Sequence, residues 1–288
     1  MRSKLFVPAS RPELFAKAMA GPADALSFDL EDAVEESRKP AARALLSDFL
    51  RDTAATQEHK RIVVRINAVD TAHCMVDLEA IVQPGLHIVN LPKVESREDV
   101  LVVVARLEAL EQARNVTHPI GILANIESPR GLACAREIAA AHPRVMGLQI
   151  GYGDLFSPLG IPMAEPFATQ AVRFAVRMAA GEAGIDAYDG AYVAIDDPDG
   201  YRRDATAALH MGFAGKSCIH PSQVGIANEV FRPVQAEVDH SVRVLQAAQE
   251  ALARGVGAFV VDGRLVDGPF ITRAERLVAL ARRLGMLA

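Results

Sequence analysis

The chain has no tryptophan, only three cysteines in 288 residues and 5% aromatic residues. Cys74, Cys134 and Cys218 are odd in number, far apart and set among apolar neighbours, with no CxxC or other metal-ligand spacing. This argues against a disulfide framework or a thiolate metal site and predicts buried free thiols in a reducing compartment. No run of about 20 apolar residues is available for a membrane-spanning helix. After the basic start Met1-Arg2-Ser3-Lys4, the apolar stretch 5–9 is broken by Pro8 and is too short for a signal peptide. Charge of one sign is scarce: 31 Lys and Arg against 36 Asp and Glu give −5 at pH 7, and no basic run supports nucleic-acid binding. Ser/Gly-rich linkers and low-complexity tracts are missing too. These absences predict a soluble, cytoplasmic protein with neither nucleic acid nor membrane as partner. Residues that are 50% hydrophobic and 23% charged exclude a disordered chain. The length suits two ordinary domains or one α/β barrel with an extension.

Short apolar runs alternate with longer helical patterns. Strands are expected at 4–8, 25–30, 61–66, 87–91, 121–126, 147–151, 192–195 and 216–219. Helices are expected at 12–20, 39–51, 77–82, 97–114, 130–141, 168–183 and 201–211. Two of the helices have start signals: Ser96 with Asp99 forms a capping-box pattern, and Ser128-Pro129 sets an N-cap before a first-turn proline. Val100, Val103, Val104, Leu107 and Leu110 then mark one buried helical face. Eight strands, most followed by a helix, predict a TIM (β/α)8 barrel over residues 1–232. An open doubly wound sheet is disfavoured because no GxGxxG follows the first strand. Residues 233–288 break the repeat and predict a helix–hairpin–helix extension. It comprises a helix at 235–254, strands at 257–261 and 265–266 turned at Asp262-Gly263-Arg264, and a last helix at 273–284. Thr272 with Glu275 would cap that last helix and Gly285 would stop it.

The active site of such a barrel lies at the carboxyl ends of its strands. Those ends carry Ser10-Arg11, Asp29-Leu30-Glu31-Asp32, Arg65 with Asn67, Lys93 with Glu95, Glu127, Asp154, Asp196-Asp197 and His220-Pro221-Ser222. This convergence of ionisable groups predicts an enzyme. Crowded carboxylates raise one another's pKa unless a cation intervenes. Glu127 and Asp154 end neighbouring strands, and oxygen ligands without His or Cys favour Mg²⁺ or Mn²⁺. Helix capping by the same two acids is the alternative. Lys93 suits an imine-forming aldolase less well than an ion pair. His220 reads as a positioning residue, Asp29 as a partner for a rim arginine, Asp262 as a turn residue and residues 196–199 as a solvated loop.

Leu5-Phe6-Val7-Pro8-Ala9-Ser10-Arg11-Pro12 and Asp29-Leu30-Glu31-Asp32-Ala33-Val34 resemble the HpcH/HpaI aldolase superfamily. The resemblance is closer to its citrate lyase β-subunit-like branch, with the malyl-CoA and citramalyl-CoA lyases. Val64-Arg65-Ile66-Asn67, Leu91-Pro92-Lys93-Val94-Glu95, Ile126-Glu127-Ser128-Pro129-Arg130-Gly131, Ile219-His220-Pro221-Ser222-Gln223 and Asp262-Gly263-Arg264-Leu265-Val266-Asp267 continue it in order. The resemblance implies a TIM barrel that cleaves a 3-hydroxyacyl-CoA thioester into an acyl-CoA and a 2-oxo acid, working as a homotrimer or hexamer. A malyl-CoA-type thioesterase and a citrate lyase β subunit acting on a carrier-bound thioester are the alternatives. It also implies Glu127 and Asp154 as Mg²⁺ ligands, Glu31 and Asp32 as acids holding the metal's waters, and Arg65 on the substrate's carboxylate and thioester oxygens. Arg11 and Lys17 would meet the CoA phosphates, and Ile219, His220 and Pro221 the pantetheine arm. Asp267 would be an acid/base delivered by a neighbouring subunit. Two positions depart from the family pattern: Ala9 stands where glycine is common, and Gly153 where a second acid often precedes the metal-binding aspartate.

Overall fold

Parallel pairing runs from the first strand to the eighth and back to the first, closing a barrel in sequential order. The computed structural model describes residues 1–53, 60–163 and 165–287. The strands are β1 Ser3–Pro8, β2 Ala25–Asp29, β3 Arg61–Arg65, β4 Ile88–Leu91, β5 Gly121–Ile126, β6 Val145–Ile150, β7 Asp186–Asp189 and β8 Gly215–Cys218. Ser3 pairs with Lys216 and Leu5 with Cys218, so the seam joins β1 to β8. The connecting helices are α1 Phe15–Ala20, α2 Lys39–Thr53, α3 His73–Ile81, α4 Arg97–Arg114, α5 Pro129–Ala133, α6 Ala135–Ala139, α7 Tyr152–Phe156, α8 Pro166–Glu182, α9 Pro198–His210 and α10 Pro221–Val230. The architecture is the TIM-type α/β barrel expected from the alternation.

Side chains alternate across each strand, so one set faces the helices and the other fills the barrel. On β2, Leu26 and Phe28 join the main core under the helices, while Ala25 packs with Val63, Ile88, Leu123 and Tyr188. Phe28 meets Phe15 of α1 and Phe49 of α2 with ring centroids 4.8 and 5.0 Å apart. Burying a ring such as Phe28 contributes roughly 2–3 kcal/mol. The local start signals act as expected. Ser96 and Asp99 form a reciprocal capping box on α4, and Ser128 Oγ accepts the Gly131 N–H at the start of α5.

Several element boundaries differ from expectation. The seventh strand is Asp186–Asp189 and not 192–195. The apolar segment 192–195 leaves Val193 and Ile195 largely exposed, whereas Asp189 is fully buried in an ion-paired network. Residues 130–141 form two short helices separated at Cys134. Residues 198–199 open α9, capped by Asp197 accepting the Gly200 N–H, and are no loop. Cys74 and Cys218 are buried free thiols, but Cys134 is only half-buried.

The chain divides into two compact units, Met1–Phe231 and Arg232–Ala288. The second unit consists of α11 Gln235–Ala253, antiparallel β9 Phe259–Val261 and β10 Arg264–Val266, and α12 Gly268–Arg283. Its hairpin turns at Asp262 (φ 49°) and Gly263 (φ 76°), the left-handed pair that a two-residue turn requires. The last helix starts five residues earlier than expected. Asp267 occupies the N-cap position, and Thr272 lies inside the helix. No helix among the described residues is long and apolar enough to cross a membrane.

Candidate active site

Glu127 follows the last residue of β5 and is buried. The Lys93 N–H donates to Glu127 Oε1 at 2.6 Å, and Asn125 Nδ2 donates to Oε2 at 3.3 Å. Lys93 reaches this bond in left-handed backbone (φ 50°), a conformation that costs a non-glycine residue roughly 1–2 kcal/mol. Gly151, after β6, is the other local requirement, because a Cβ there would coincide with the Glu127 carboxylate. Glu127 therefore does not cap α5; it is fixed across the barrel mouth by the next turn of chain on either side.

Arg65, at the end of β3, donates from Nε and Nη2 to the two oxygens of Asp29 at 2.8 and 2.6 Å. Its Nη1 lies 2.7 Å from Glu31 and 3.6 Å from Asp32. Lys93 Nζ faces the same two acids at 3.0 and 3.7 Å. Asp29 is thus the arginine's partner and Lys93 an ion-paired lysine. Burial pushes the Glu31 carboxyl above its usual range, with Arg65 opposing and Asp32 adding to the shift. Burial also pushes Glu127 up to about 7, reinforced by the negative charge of Glu31 and Asp154. For Arg65 burial works against the charge, but Asp29, Glu31 and Asp32 outweigh it and hold the guanidinium protonated. Five carboxylates thus face two cations at this rim.

A cavity of about 490 Å³ opens over these residues, lined on its polar side by Asp29, Asp32, Arg65, Asn125, Glu127 and Asp154. Its apolar wall includes Phe6, Met163 and Val193. A second hollow of about 430 Å³, containing Lys93 and Glu95, shares Glu127 and Asp154 with it. Asp154 lies exposed in the first turn of α7. No group of three or more His, Cys, Asp or Glu among the described residues is arranged to hold a metal. Glu127 and Asp154 both line the two hollows, and carboxylates amid such a negative surplus are the donor type that a hard divalent cation takes, with several positions left for water and ligand.

The remaining predicted residues are more scattered. Arg11 is exposed and pairs with Glu13 at 2.8 Å, Lys17 is exposed on α1, and neither lines the cavity. Ile219 does line it, but its N–H is occupied by Gln223 Oε1 at 2.9 Å. Pro221 has no N–H to offer, and His220 caps α10 through Nδ1 to Ser222. Asp197 sits at the start of α9 and not at a strand end. Asp267 belongs to the second unit, where its Oδ1 is buried without a hydrogen-bond partner. Asp262 ion-pairs with Arg243 and hydrogen-bonds to His240 Nδ1, at 2.7 Å each.

Inside the barrel the structure adds residues that strand-end reading overlooked. Lys4, Asn90 and Asn125 form a buried hydrogen-bonded series that leads to Glu127. Gln149 Oε1 and Ser217 Oγ line the cavity, buried and unpartnered. The available signal was a single polar residue within an apolar strand, as in Ile88-Val89-Asn90-Leu91 and Leu123-Ala124-Asn125-Ile126.

The sequence pattern of the HpcH/HpaI aldolase/citrate lyase family matches residues 2–221. The chain belongs to that family. It is accordingly an enzyme of the lyase kind. Citrate lyase subunit beta of Escherichia coli K12 is 36% identical over an alignment covering 99% of this chain and 94% of that protein. The (3S)-malyl-CoA thioesterase of Cereibacter sphaeroides ATCC 17029 is 37% identical, covering 97% of this chain and 94% of that protein. Among solved structures, the CitE protein of Mycobacterium tuberculosis in complex with magnesium, acetoacetate and coenzyme A matches with a TM-score of 0.72 and 37% identity. That match covers 99% of this chain and 100% of the CitE chain.

Proposed function

We propose that this family member is a Mg²⁺-dependent carbon–carbon lyase that cleaves a 3-hydroxyacyl-CoA thioester of the malyl-CoA or citramalyl-CoA type. The observation that carries the proposal is the acid-rich face of the cavity, where Glu127 and Asp154 share two adjoining hollows and five carboxylates meet two cations. The CitE complex with magnesium, acetoacetate and coenzyme A supports the same reading. Glu127 and Asp154 would hold the ion, with Glu31 and Asp32 orienting its waters. When bound, the ion supplies Lewis-acid polarisation of the substrate's carboxylate and adjacent oxygen.

The remaining chemistry belongs to the protein. Cleavage breaks the bond between the acyl α-carbon and the carbinol carbon; the electron pair stays on the acyl fragment as an enolate. The carbinol proton leaves to the acidic face as the 2-oxo acid forms. Arg65, paired through Nε and Nη2 with Asp29 and through Nη1 with Glu31, would keep one N–H on each terminal nitrogen for the enolate oxygen and the substrate carboxylate. Asp267, contributed by a neighbouring copy in a trimer or hexamer, returns a proton to the α-carbon. Arg11 and Lys17 would approach the CoA phosphates, and residues 219–221 the pantetheine arm.

The deciding experiment incubates the isolated protein with malyl-, citramalyl-, methylmalyl- and citryl-CoA and identifies the products. The expected outcome is a 2-oxo acid plus an acyl-CoA, lost in EDTA and restored by Mg²⁺. Activity that survives chelation overturns the metal role. Asp267→Ala is expected to retain CoA binding and lose turnover; near-normal turnover overturns its role. A second reading, thioester hydrolysis, is favoured by the 37% identity to the malyl-CoA thioesterase. Free CoA with an intact hydroxy acid as product would establish it. Activity on free CoA thioesters excludes an obligatory acyl-carrier partner.

A further inference from the structure

We propose that Lys4 and Asn90 are positioning residues for Glu127, acting through Asn125 as a hydrogen-bond series with one fixed direction. The proposal rests on Glu127 being a ligand of the divalent cation. A lysine ammonium has only donors to offer. Lys4 Nζ donates to Asn90 Oδ1 at 2.8 Å, so the Asn90 amide turns its Nδ2 the other way. That Nδ2 donates to the Leu123 carbonyl at 3.0 Å and to Asn125 Oδ1 at 2.6 Å. With its oxygen occupied, Asn125 has only Nδ2 to turn toward Glu127 Oε2, 3.3 Å away. Lys4 and the Leu123 carbonyl together hold Asn90 in this sense; without the lysine only that carbonyl opposes a joint flip of both amides, which would set a carbonyl oxygen against the carboxylate.

Lys4 is a costly residue for a packing role alone. It is 2% exposed, makes no hydrogen bond to a carboxylate, and rests on the Asn90 oxygen and on the face of Phe6, 4.3 Å from the ring centroid. Burial and the Arg65 charge push its pKa below the usual value, while the Asp29 and Glu127 charges favour the ammonium. An apolar side chain of similar length would fill the same space without that desolvation cost. With Lys93 N–H on Oε1 and Asn125 on Oε2, each Glu127 oxygen has one donor and keeps a free lone pair. The carboxylate is thereby locked in one orientation before a cation arrives.

The test is a calorimetric titration of Mg²⁺ and Mn²⁺ into EDTA-stripped protein, paired with thermal unfolding of the cation-free form. Asn90→Asp gives Lys4 an ion pair and forces Asn125 to turn its amide nitrogen to residue 90. The expected result is cation affinity about tenfold weaker, with a melting temperature near that of the wild type because the Lys4 ion pair offsets the bond lost at the Leu123 carbonyl. Lys4→Met is expected to weaken cation binding to a similar degree. Lys4→Arg, which like lysine offers only donors, is expected to keep it within about threefold of the wild type. Wild-type affinity in both Asn90→Asp and Lys4→Met overturns the proposal. So does a folded Lys4→Arg variant as weak as Lys4→Met, because it still offers Asn90 only donors. If Lys4→Met fails to fold, Asn90→Asp alone decides. Glu127→Gln separates the two levels of inference. If it binds cation as the wild type does, the functional reading and the relay both fall. If it abolishes binding while the Asn90 and Lys4 variants retain it, only the relay falls.

Discussion

Two acid clusters gather at the barrel strands, and they differ in charge closure. Around β7 and β8, Asp189 accepts from Arg173 Nη2 at 2.8 Å, Lys216 Nζ at 2.5 Å and the Tyr152 hydroxyl at 2.8 Å. Asp204 completes that group with Arg173 at 2.6 Å and Lys216 at 2.7 Å, so two acids meet two cations. Burial opposes the Asp189 charge, but Lys216 and Arg173 prevail and hold its carboxyl below the usual range. From β2 to β6 the acids outnumber the cations, Glu31 and Glu127 are pushed up, and a cavity is lined by Asp29, Asp32, Glu127 and Asp154. Neutral closure belongs to the scaffold, whereas an uncompensated surplus facing a cavity is available for a ligand.

The largest effect is expected from breaking the closed cluster. Asp189→Asn leaves Arg173 and Lys216 buried without their acid and should cost about 3–5 kcal/mol in urea unfolding at pH 7. Because the Asp189 carboxyl is depressed, its contribution is present above the usual aspartate range and is lost as pH falls below it. Glu127 has the opposite slope. Its carboxyl is raised from 4.5 to about 7, so it binds a proton in the folded chain that the unfolded chain releases. That contribution is full below pH 4.5 and vanishes as pH rises through 7. Glu127→Gln in cation-free protein should therefore match the wild type near pH 4 and exceed it by up to about 3 kcal/mol at pH 8. An equal difference at both pH values would contradict the raised carboxyl.

Gly151→Ala should cost about 1–3 kcal/mol by driving a methyl into the Glu127 carboxylate, with cation affinity falling alongside stability. The smallest effect is a control on burial itself. Arg202–Glu229 has the same 2.8 Å separation as Arg173–Asp189 but lies at the surface. Glu229→Gln should leave the urea midpoint unchanged within error. A large shift there would mean that ion pairing, and not burial, governs the Asp189 result.

Features set by neighbours along the chain were legible in the sequence. Ser96 with Asp99, Ser128-Pro129 and the Asp262-Gly263 turn rely on contacts a few residues away. Strand-end acids such as Glu31 and Glu127 were legible because an apolar run locates its own end. The seventh strand was not, because Asp186-Ala187-Tyr188-Asp189 has an acid at each end. Asp189 is tolerable in the core only through Arg173 and Lys216, 16 and 27 residues away. The Thr272–Glu275 pattern satisfied a capping rule locally, yet the helix had already begun at Gly268. The role of Asn90 was equally hidden, since Lys4 lies 86 positions from it.

Closure of the barrel makes β1 wait for β8. Ser3 pairs with Lys216, so one edge of β1 has no partner until nearly the whole first unit has been synthesised. At roughly 5–20 residues per second that interval is roughly 10–40 s on the ribosome. An open strand edge is a template for pairing with another nascent chain, and a lysine on it opposes such pairing because a sheet formed between chains would have to bury the charge. Both strands of the seam have one, Lys4 on β1 and Lys216 on β8, and both are buried in the closed barrel. By that reasoning, a seam with a lysine on each strand disfavours pairing between half-made chains.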